Sequence, residues 1–166
     1  MALVAANASF LSSYFVECTS KDLGGALWGS GSPQMFPQPT RPAFFSIEHS
    51  EFKNNSAHSG GAVAVTAQSS VIIQGSLFEG NSAANLGGAL LLQDRSEASV
   101  QSSAFTDNSA TAGGAFAATD EASATIQGSR LYQNRALGMG GGGLRIIESS
   151  VDLLDNTFAG NSTEAS

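Results

Sequence analysis

The stretch FEGNSAANLGGAL, residues 78–90, contains both motifs that decide the fold. It begins with Phe-x-x-Asn-Ser-Ala and ends with Gly-Gly-Ala and an aliphatic residue. The first motif or a close variant recurs at steps of 26 or 27 residues, beginning at Phe52, Phe105, Leu131 and Phe158. The second follows each asparagine after five to seven residues, except in the last copy. A fixed period of this length indicates a repeat architecture.

A second signal lies seven residues ahead of each Phe, where apolar residues alternate with others, as in Val71-x-Ile73 and Val151-x-Leu153. Such alternation predicts short strands. A unit with several short strands and glycine-marked turns is typical of one coil of a parallel β-helix, whereas propeller blades are longer and leucine-rich repeats need a regular Leu framework. The sequence therefore predicts an all-β fold, a single-stranded parallel β-helix solenoid, right-handed, with about six coils of 26–27 residues.

We expect residues 1–166 to form a single β-helix domain with five full coils and a sixth that is cut short. The last repeat stops at Ser166 before its Gly-Gly strand, which leaves a row of unpaired backbone groups. The sequence thus predicts a fragment of a longer solenoid, or a chain whose end a partner covers. End-to-end or edge contacts are among the expected modes of association.

Stacked coils turn equivalent residues into ladders that run along the solenoid. Asparagine tolerates left-handed backbone and can satisfy turn amides with its side chain, so the repeated Asn is expected to be structural. The predicted asparagine ladder consists of Asn55, Asn81, Asn108, Asn134 and Asn161. The Gly-Gly pairs are expected where each coil bends into its next strand.

The strand after each Gly-Gly pair is rich in alanine. If these residues face outward, they form a flat, weakly polar strip suited to contact, although the inward and outward assignments in this strand could be exchanged. The residues of this expected strip are Ala62, Ala64, Ala89, Leu91, Ala115 and Ala117.

The composition excludes several classes of protein. Ala, Ser and Gly supply 69 of the 166 residues, and the net charge is −7 with a sequence pI near 4.5. Seven scattered basic residues disfavour nucleic-acid binding. A single cysteine, Cys18, excludes an internal disulfide and a Cys-rich zinc site, and no apolar run approaches the length of a membrane-spanning helix.

The alternation of Phe-x-x-Asn with Gly-Gly-Ala-(Ile/Leu/Val) resembles the repeats of the chlamydial polymorphic membrane protein family, over about residues 8–163. Leu131 replaces the Phe in one copy and Cys18 replaces the Asn in the first. The resemblance implies a β-helical passenger region carried by an autotransporter, an extracellular or cell-surface location, adhesion, and only an indirect relation to the membrane.

Carbohydrate-active enzymes also use parallel β-helices, and their sites need clustered carboxylates. The acidic residues near the turns after the Gly-Gly strands are spread along the chain and are expected to be solvated charges rather than a calcium-binding edge. These are Asp94, Glu97, Asp120, Glu121 and Glu148. His49 and His58 have no acidic or cysteine partner at metal-ligand spacing. We therefore predict no catalytic residue, no metal and no cofactor.

A Pro-rich insertion, residues 29–42, separates the first repeat from the second and contains all four prolines. Loops that leave a solenoid commonly carry function. The candidate interaction residues are Trp28, Met35, Phe36 and Leu91. A tolerated insertion whose Phe36 covers the solenoid is the alternative.

The sequence thus predicts a non-enzymatic β-helix repeat module that serves as a structural or adhesive surface for a protein partner, a host surface or another subunit. The alternative is a polysaccharide lyase or glycosidase-like β-helix, or a carbohydrate-binding domain. An intracellular structural subunit of a large assembly is the alternative to a cell-surface location.

Overall fold

Each repeat forms one coil of a parallel β-solenoid in the computed structural model, which describes residues 1–4, 6–31, 41–138 and 140–164. The strands, in chain order, are β1 (Ala2–Val4), β2 (Asn7–Leu11), β3 (Tyr14–Val16), β4 (Leu27–Ser30), β5 (Phe44–Glu48), β6 (Glu51–Lys53), β7 (Ser56–Ala57), β8 (Val63–Thr66), β9 (Ser70–Gln74), β10 (Leu77–Glu79), β11 (Ser82–Ala83), β12 (Leu90–Leu92), β13 (Glu97–Gln101), β14 (Ala104–Thr106), β15 (Ser109–Ala110), β16 (Phe116–Ala118), β17 (Ser123–Gln127), β18 (Arg130–Tyr132), β19 (Arg135–Ala136), β20 (Leu144–Ile146), β21 (Ser150–Leu154), β22 (Thr157–Ala159) and β23 (Ser162–Thr163). The predicted all-β fold is confirmed.

The strands stack into four parallel sheets, which we number by their order along a coil. Sheet 1 is β2-β5-β9-β13-β17-β21, and sheet 2 is β3-β6-β10-β14-β18-β22. Sheet 3 is β7-β11-β15-β19-β23, and sheet 4 is β1-β4-β8-β12-β16-β20. Each strand pairs in register with its counterpart one repeat away, so Phe78 lies between Phe52 and Phe105.

The number of complete coils differs from the prediction of five full coils and a sixth. Only the four coils that begin with β5, β9, β13 and β17 contain all four strands. In the first coil, within residues 6–31, Cys18 takes the place of the ladder asparagine and no sheet 3 strand forms. The segment there makes only two isolated bridges, from Thr19 to Ser56 and from Leu23 to Ser59.

The core is a set of apolar columns inside the coils. In sheet 2, Phe15, Phe52, Phe78 and Phe105 stack with ring centroids 4.7–4.8 Å apart and interplanar angles of 4–10°. This separation matches the strand spacing of about 4.8 Å, so backbone pairing sets the ring geometry. The other columns come from sheets 1 and 4, where residues such as Ile73 are fully buried.

The expected exposed strip after Gly-Gly is not exposed. Leu91 is only 1% exposed and forms a second small cluster with Ala64 and Ala117, against which Leu86 packs. Leu86 belongs to the segment before the Gly-Gly pair, and this segment covers the outer face of sheet 4. The prediction of an exposed strip was therefore wrong, because both faces of these strands are buried.

The two glycines of each pair have different roles. Gly87 has a φ of 62°, in the left-handed region that favours glycine. Gly88 lies so close to the next coil that a Cβ atom would overlap the carbonyl oxygen of Gly114. The Gly-Gly motif therefore permits a sharp turn and, one residue later, direct contact between the backbones of stacked coils.

Truncation of a central ring tests how much the Phe column stabilises the fold. Replacing Phe78 with Ala removes a fully buried side chain and should lower the free energy of unfolding by about 3–5 kcal/mol. The measurement is urea unfolding followed by circular dichroism. Phe44→Ala is the matched control, since Phe44 is 41% exposed and its loss should cost much less. Equal losses for the two variants would contradict the account of the core.

Candidate functional site

The predicted ladder asparagines lie at one corner of the solenoid, between sheets 2 and 3. Asn55, Asn81, Asn108 and Asn134 are fully buried, and Asn161 is half-buried. The side chain of Asn81 shows the repeating pattern. Its Oδ1 accepts hydrogen bonds from the backbone N–H and from Nδ2 of Asn55, both at 3.0 Å. Its Nδ2 donates to the carbonyl of Phe52 at 3.0 Å and to Oδ1 of Asn108 at 2.9 Å.

Both N–H donors and the oxygen of the Asn81 side chain are therefore used within the stack. Asn81 therefore has no free polar side-chain atom with which to bind a ligand. The contribution of the ladder is structural. At the first level, the backbone N–H of Cys18 donates to Oδ1 of Asn55 at 2.9 Å. The thiol contributes only a weak contact to the carbonyl of Val16, with the sulfur at 3.6 Å.

A second ladder lies at the corner between sheets 1 and 2. Ser76 donates its backbone N–H to the hydroxyl of Ser103 at 3.2 Å, and Ser103 does the same to Ser129 at 3.1 Å. Each hydroxyl also donates to a carbonyl two residues earlier in its own coil, as Ser76 does to Gln74 at 2.9 Å. The two hydrogen-bonded corners thus lie on either side of sheet 2, and the serine corner fixes one edge of sheet 1.

The outer face of sheet 1 forms an open groove of about 480 Å³. Residues at the second and fourth positions of its five-residue strands point into the core, so the first, third and fifth positions face solvent, as the burial pattern of β9 shows. The groove runs across five coils, from the one with β5 to the one with β21. Its lining is Phe44, Ser70, Val71, Ile72, Glu97, Ala98, Ser99, Ser123, Ala124, Thr125, Ser150 and Asp152.

A family model described as "Right handed beta helix region" matches residues 12–164. The chain belongs to this family. Neither a comparison with curated proteins nor one with solved structures gave a significant match. The groove is therefore a feature of a right-handed β-helix, on the outer face of one of its sheets.

Two of the four candidate interaction residues, Trp28 and Leu91, lie within the described part of the chain, and neither is fully exposed. Trp28 is half-buried, packs against the small cluster of Leu91 and donates from Nε1 to Oγ1 of Thr66 at 3.2 Å. Leu91 is inaccessible, as described above. Met35 and Phe36 lie outside the described residues.

The histidines and turn acids singled out from the sequence lie on the surface of the β-helix, and the turn acids occupy stacked turns of successive coils. His49 and His58 are exposed, and the turn acids are exposed as well. Within the described part of the chain, no three His, Cys, Asp or Glu side chains are grouped so that they could hold a metal ion. The same residues contain no helix long and apolar enough to cross a bilayer.

The charge of the groove differs from that of the neighbouring outer face of sheet 2. There, Nζ of Lys53 lies 2.9 Å from the carboxylate of Glu51 and 3.4 Å from that of Glu79, and the hydrogen bond to Glu51 raises the pKa of Lys53. The groove contains two exposed carboxylates, Glu97 and Asp152, and its lining includes no basic residue among those the structure describes. The groove is thus negatively charged, whereas on sheet 2 the carboxylates of Glu51 and Glu79 are paired with Lys53.

The repeat patterns did not single out the groove. Only one outward row of this sheet has recurring chemistry, the fifth positions of the strands, where the side chains are exposed or half-exposed: Glu48, Gln74, Gln101 and Gln127. The rows two and four residues earlier were missed because their chemistry changes from coil to coil. Counting back by two from each Gln would have identified them.

Removal of one ladder side chain tests its structural role. Asn108→Ala leaves the backbone N–H of Asn81 and the carbonyl of Phe78 without their partners, so the free energy of unfolding should fall by about 3 kcal/mol or more. Thermal and urea unfolding provide the measurement. Asn85→Ala removes an exposed asparagine and should change stability by less than about 0.5 kcal/mol. A loss for Asn108→Ala no larger than for this control would show that the ladder contributes little.

Proposed function

We propose that this β-helix is a non-enzymatic interaction module, structural or adhesive, and that the groove on sheet 1 is its contact surface. The observation that carries the proposal is the groove itself, about 480 Å³ in volume and continuous over five coils. Its lining combines hydroxyl groups with the exposed side chains of Phe44 and Ile72, 41% and 39% exposed. Such a surface offers both hydrogen bonds and apolar contact to a ligand.

The groove is suited to binding because its shape is fixed before a ligand arrives. The strands that form its floor have their other face in the core, where Val71, Ile73, Val100 and Ile126 are buried. Parallel pairing extends over all five residues of β9, β13 and β17. Little conformational entropy is therefore lost on binding, which favours affinity.

The resemblance of the repeats to the chlamydial polymorphic membrane protein family supports an adhesive role at the cell surface or outside the cell. The support comes from the alternation of the two motifs over nearly the whole chain. An intracellular structural subunit of a large assembly remains the second reading of the same surface. In both readings the partner is a macromolecule that contacts the groove.

A carbohydrate-binding or carbohydrate-active β-helix is the second candidate function. It is favoured by one observation, an aromatic side chain, Phe44, in a groove that also contains hydroxyls and the carboxylates of Glu97 and Asp152. From strand spacing and residue rise, the Cα atoms of these two acids are about 12 Å apart. Glycosidases pair their catalytic carboxyl groups about 5–9.5 Å apart, so release of new reducing ends from a polysaccharide is the measurement that separates hydrolysis from sugar binding.

Filling the groove with a large side chain tests the proposal. Ligands are first selected with the purified protein from a random-peptide display library and from a glycan array. Ser99→Trp places an indole in the groove and should weaken binding of the selected ligands at least tenfold by steric exclusion. Fluorescence anisotropy gives the affinities.

The matched control is Thr106→Trp, which introduces the same side chain at a half-exposed position on sheet 2 of the same coil. It should leave the affinities unchanged, and circular dichroism should show the same strand content in both variants. Ligands that bind Ser99→Trp as tightly as the parent protein would place the contact surface elsewhere. Release of new reducing ends from a polysaccharide would favour the enzyme.

A further inference from the structure

The groove is chemically different at its two ends. Phe44 and Ile72, on the coils that begin with β5 and β9, form an exposed apolar end. Asp152, on the coil that begins with β21, makes the other end acidic, and Glu97 adds a second carboxylate on the middle coil, which begins with β13. Ser99 and Thr125 lie between Ile72 and Asp152 in the row of third strand positions. A ligand that complements the groove must therefore be apolar at one end and positively charged at the other.

The two carboxylates are available to such a ligand. Within residues 1–4, 6–31, 41–138 and 140–164, the ion pairs of the structure involve other acids. Arg95, the basic residue nearest to Glu97 in sequence, has its Nε 3.9 Å from the carboxylate of Glu121. Both Glu97 and Asp152 are exposed. A ligand cation therefore need not displace a protein cation in order to reach them.

Strand register fixes the spacing of these groups. Glu97 pairs through Ser123 with Ser150, so Asp152 lies two coils further along the axis and two residues further along its strand. With coils about 4.8 Å apart and a rise of about 3.3 Å per residue, the separation is about 12 Å. Ile72 lies one coil from Glu97 and two residues along, which gives about 8 Å.

An extended peptide matches these distances. Ile72 and Asp152 lie three coils apart in one row, a separation of about 14 Å along the axis. Side chains on one face of an extended peptide recur every two residues, about 7 Å apart, and positions four residues apart are about 13 Å apart. We propose, on the basis of the proposed function of this groove, that it binds an extended basic segment of a protein partner along the helix axis. The segment has an aliphatic residue at position i, facing Ile72, and Lys or Arg at i+4, facing Asp152. A Lys or Arg at i+2 extends sideways to Glu97, which lies one coil from Ile72 and two residues to the side of this row.

A peptide fits the groove better than a glycan does. An aliphatic side chain buries apolar surface against Ile72 and Phe44, whereas sugar hydroxyls gain no hydrogen bond from Ile72. The carboxylates repel acidic polysaccharides. A cationic glycan meets the acidic end but leaves the aliphatic contact unused.

The test uses the full chain and a fluorescein-labelled peptide, Ser-Val-Thr-Lys-Thr-Lys-Ser, whose Val and two Lys have the proposed spacing of i, i+2 and i+4. Anisotropy titrations should show saturable binding that weakens as salt rises, because the contacts with Glu97 and Asp152 are ionic. The double variant Glu97→Gln/Asp152→Asn should raise the Kd at least fivefold. A peptide with Gln in place of both Lys should lose affinity to a similar extent.

The matched control is Glu17→Gln/Asp107→Asn, which removes the same two charges from the corner between sheets 2 and 3. The chain already places Asn54 and Gln133 at equivalent corners, with φ of 54° and 53°, so these substitutions fit the backbone. The Kd for this variant should equal that of the parent protein. An equal loss in both double variants would overturn the proposal, since it would reflect net charge alone.

Two further outcomes separate this inference from the proposed function. If ligands from the libraries are excluded by Ser99→Trp but bind Glu97→Gln/Asp152→Asn unchanged, the groove is a binding site and the basic-peptide assignment is wrong. If a chitosan hexamer binds in the groove more tightly than the Lys peptide, the ligand is a cationic glycan and the assignment is again wrong. If no library ligand is sensitive to Ser99→Trp, the proposed function itself fails.

Discussion

Parallel backbone hydrogen bonding between coils holds equivalent residues at a spacing of about 4.8 Å, and the rest of the structure depends on this constraint. Any group that points inward meets its own counterpart directly above and below. Phenylalanine rings satisfy this requirement as a near-parallel stack with centroids 4.7–4.8 Å apart. Asparagine satisfies it because one side chain is both donor and acceptor to the next, as Asn81 is to Asn108.

The same constraint explains why much of the fold could be predicted from sequence. Similar side chains must stack on one another inside the coils, so the core positions recur in the sequence at a fixed period. The β-helix family and the all-β architecture agree with that period. The position of Leu91 could not be predicted in this way. Alternation of apolar and polar residues distinguishes the two faces of a strand only when one face is exposed to solvent. Around Leu91 both faces are covered. The missing sheet 3 strand of the first coil could not be predicted either, because the sheet 3 strands of the other coils are only two residues long and leave little signal in the sequence.

The groove escaped the repeat pattern for the opposite reason. Its outward rows are free of the stacking requirement, so Ile72, Ser99, Thr125 and Asp152 occupy equivalent positions with unrelated chemistry. Residues that repeat from coil to coil are those that stabilise the fold. Residues that vary on a face with a regular backbone are free to be selected for binding. In this solenoid, the residues that determine binding specificity are therefore expected at positions where the strand geometry repeats but the residue type does not.

The asparagine ladder has a further consequence for how such a chain can change. Asn81, Asn108 and Asn134 make the same set of bonds to the coil before and the coil after, so the bonding of these inner members does not depend on their place in the series. Duplication or loss of one whole repeat therefore keeps the ladder continuous, while the groove gains or loses one row of side chains. The length of the ligand that the solenoid accommodates can thus evolve in steps of a single coil, without redesign of the core.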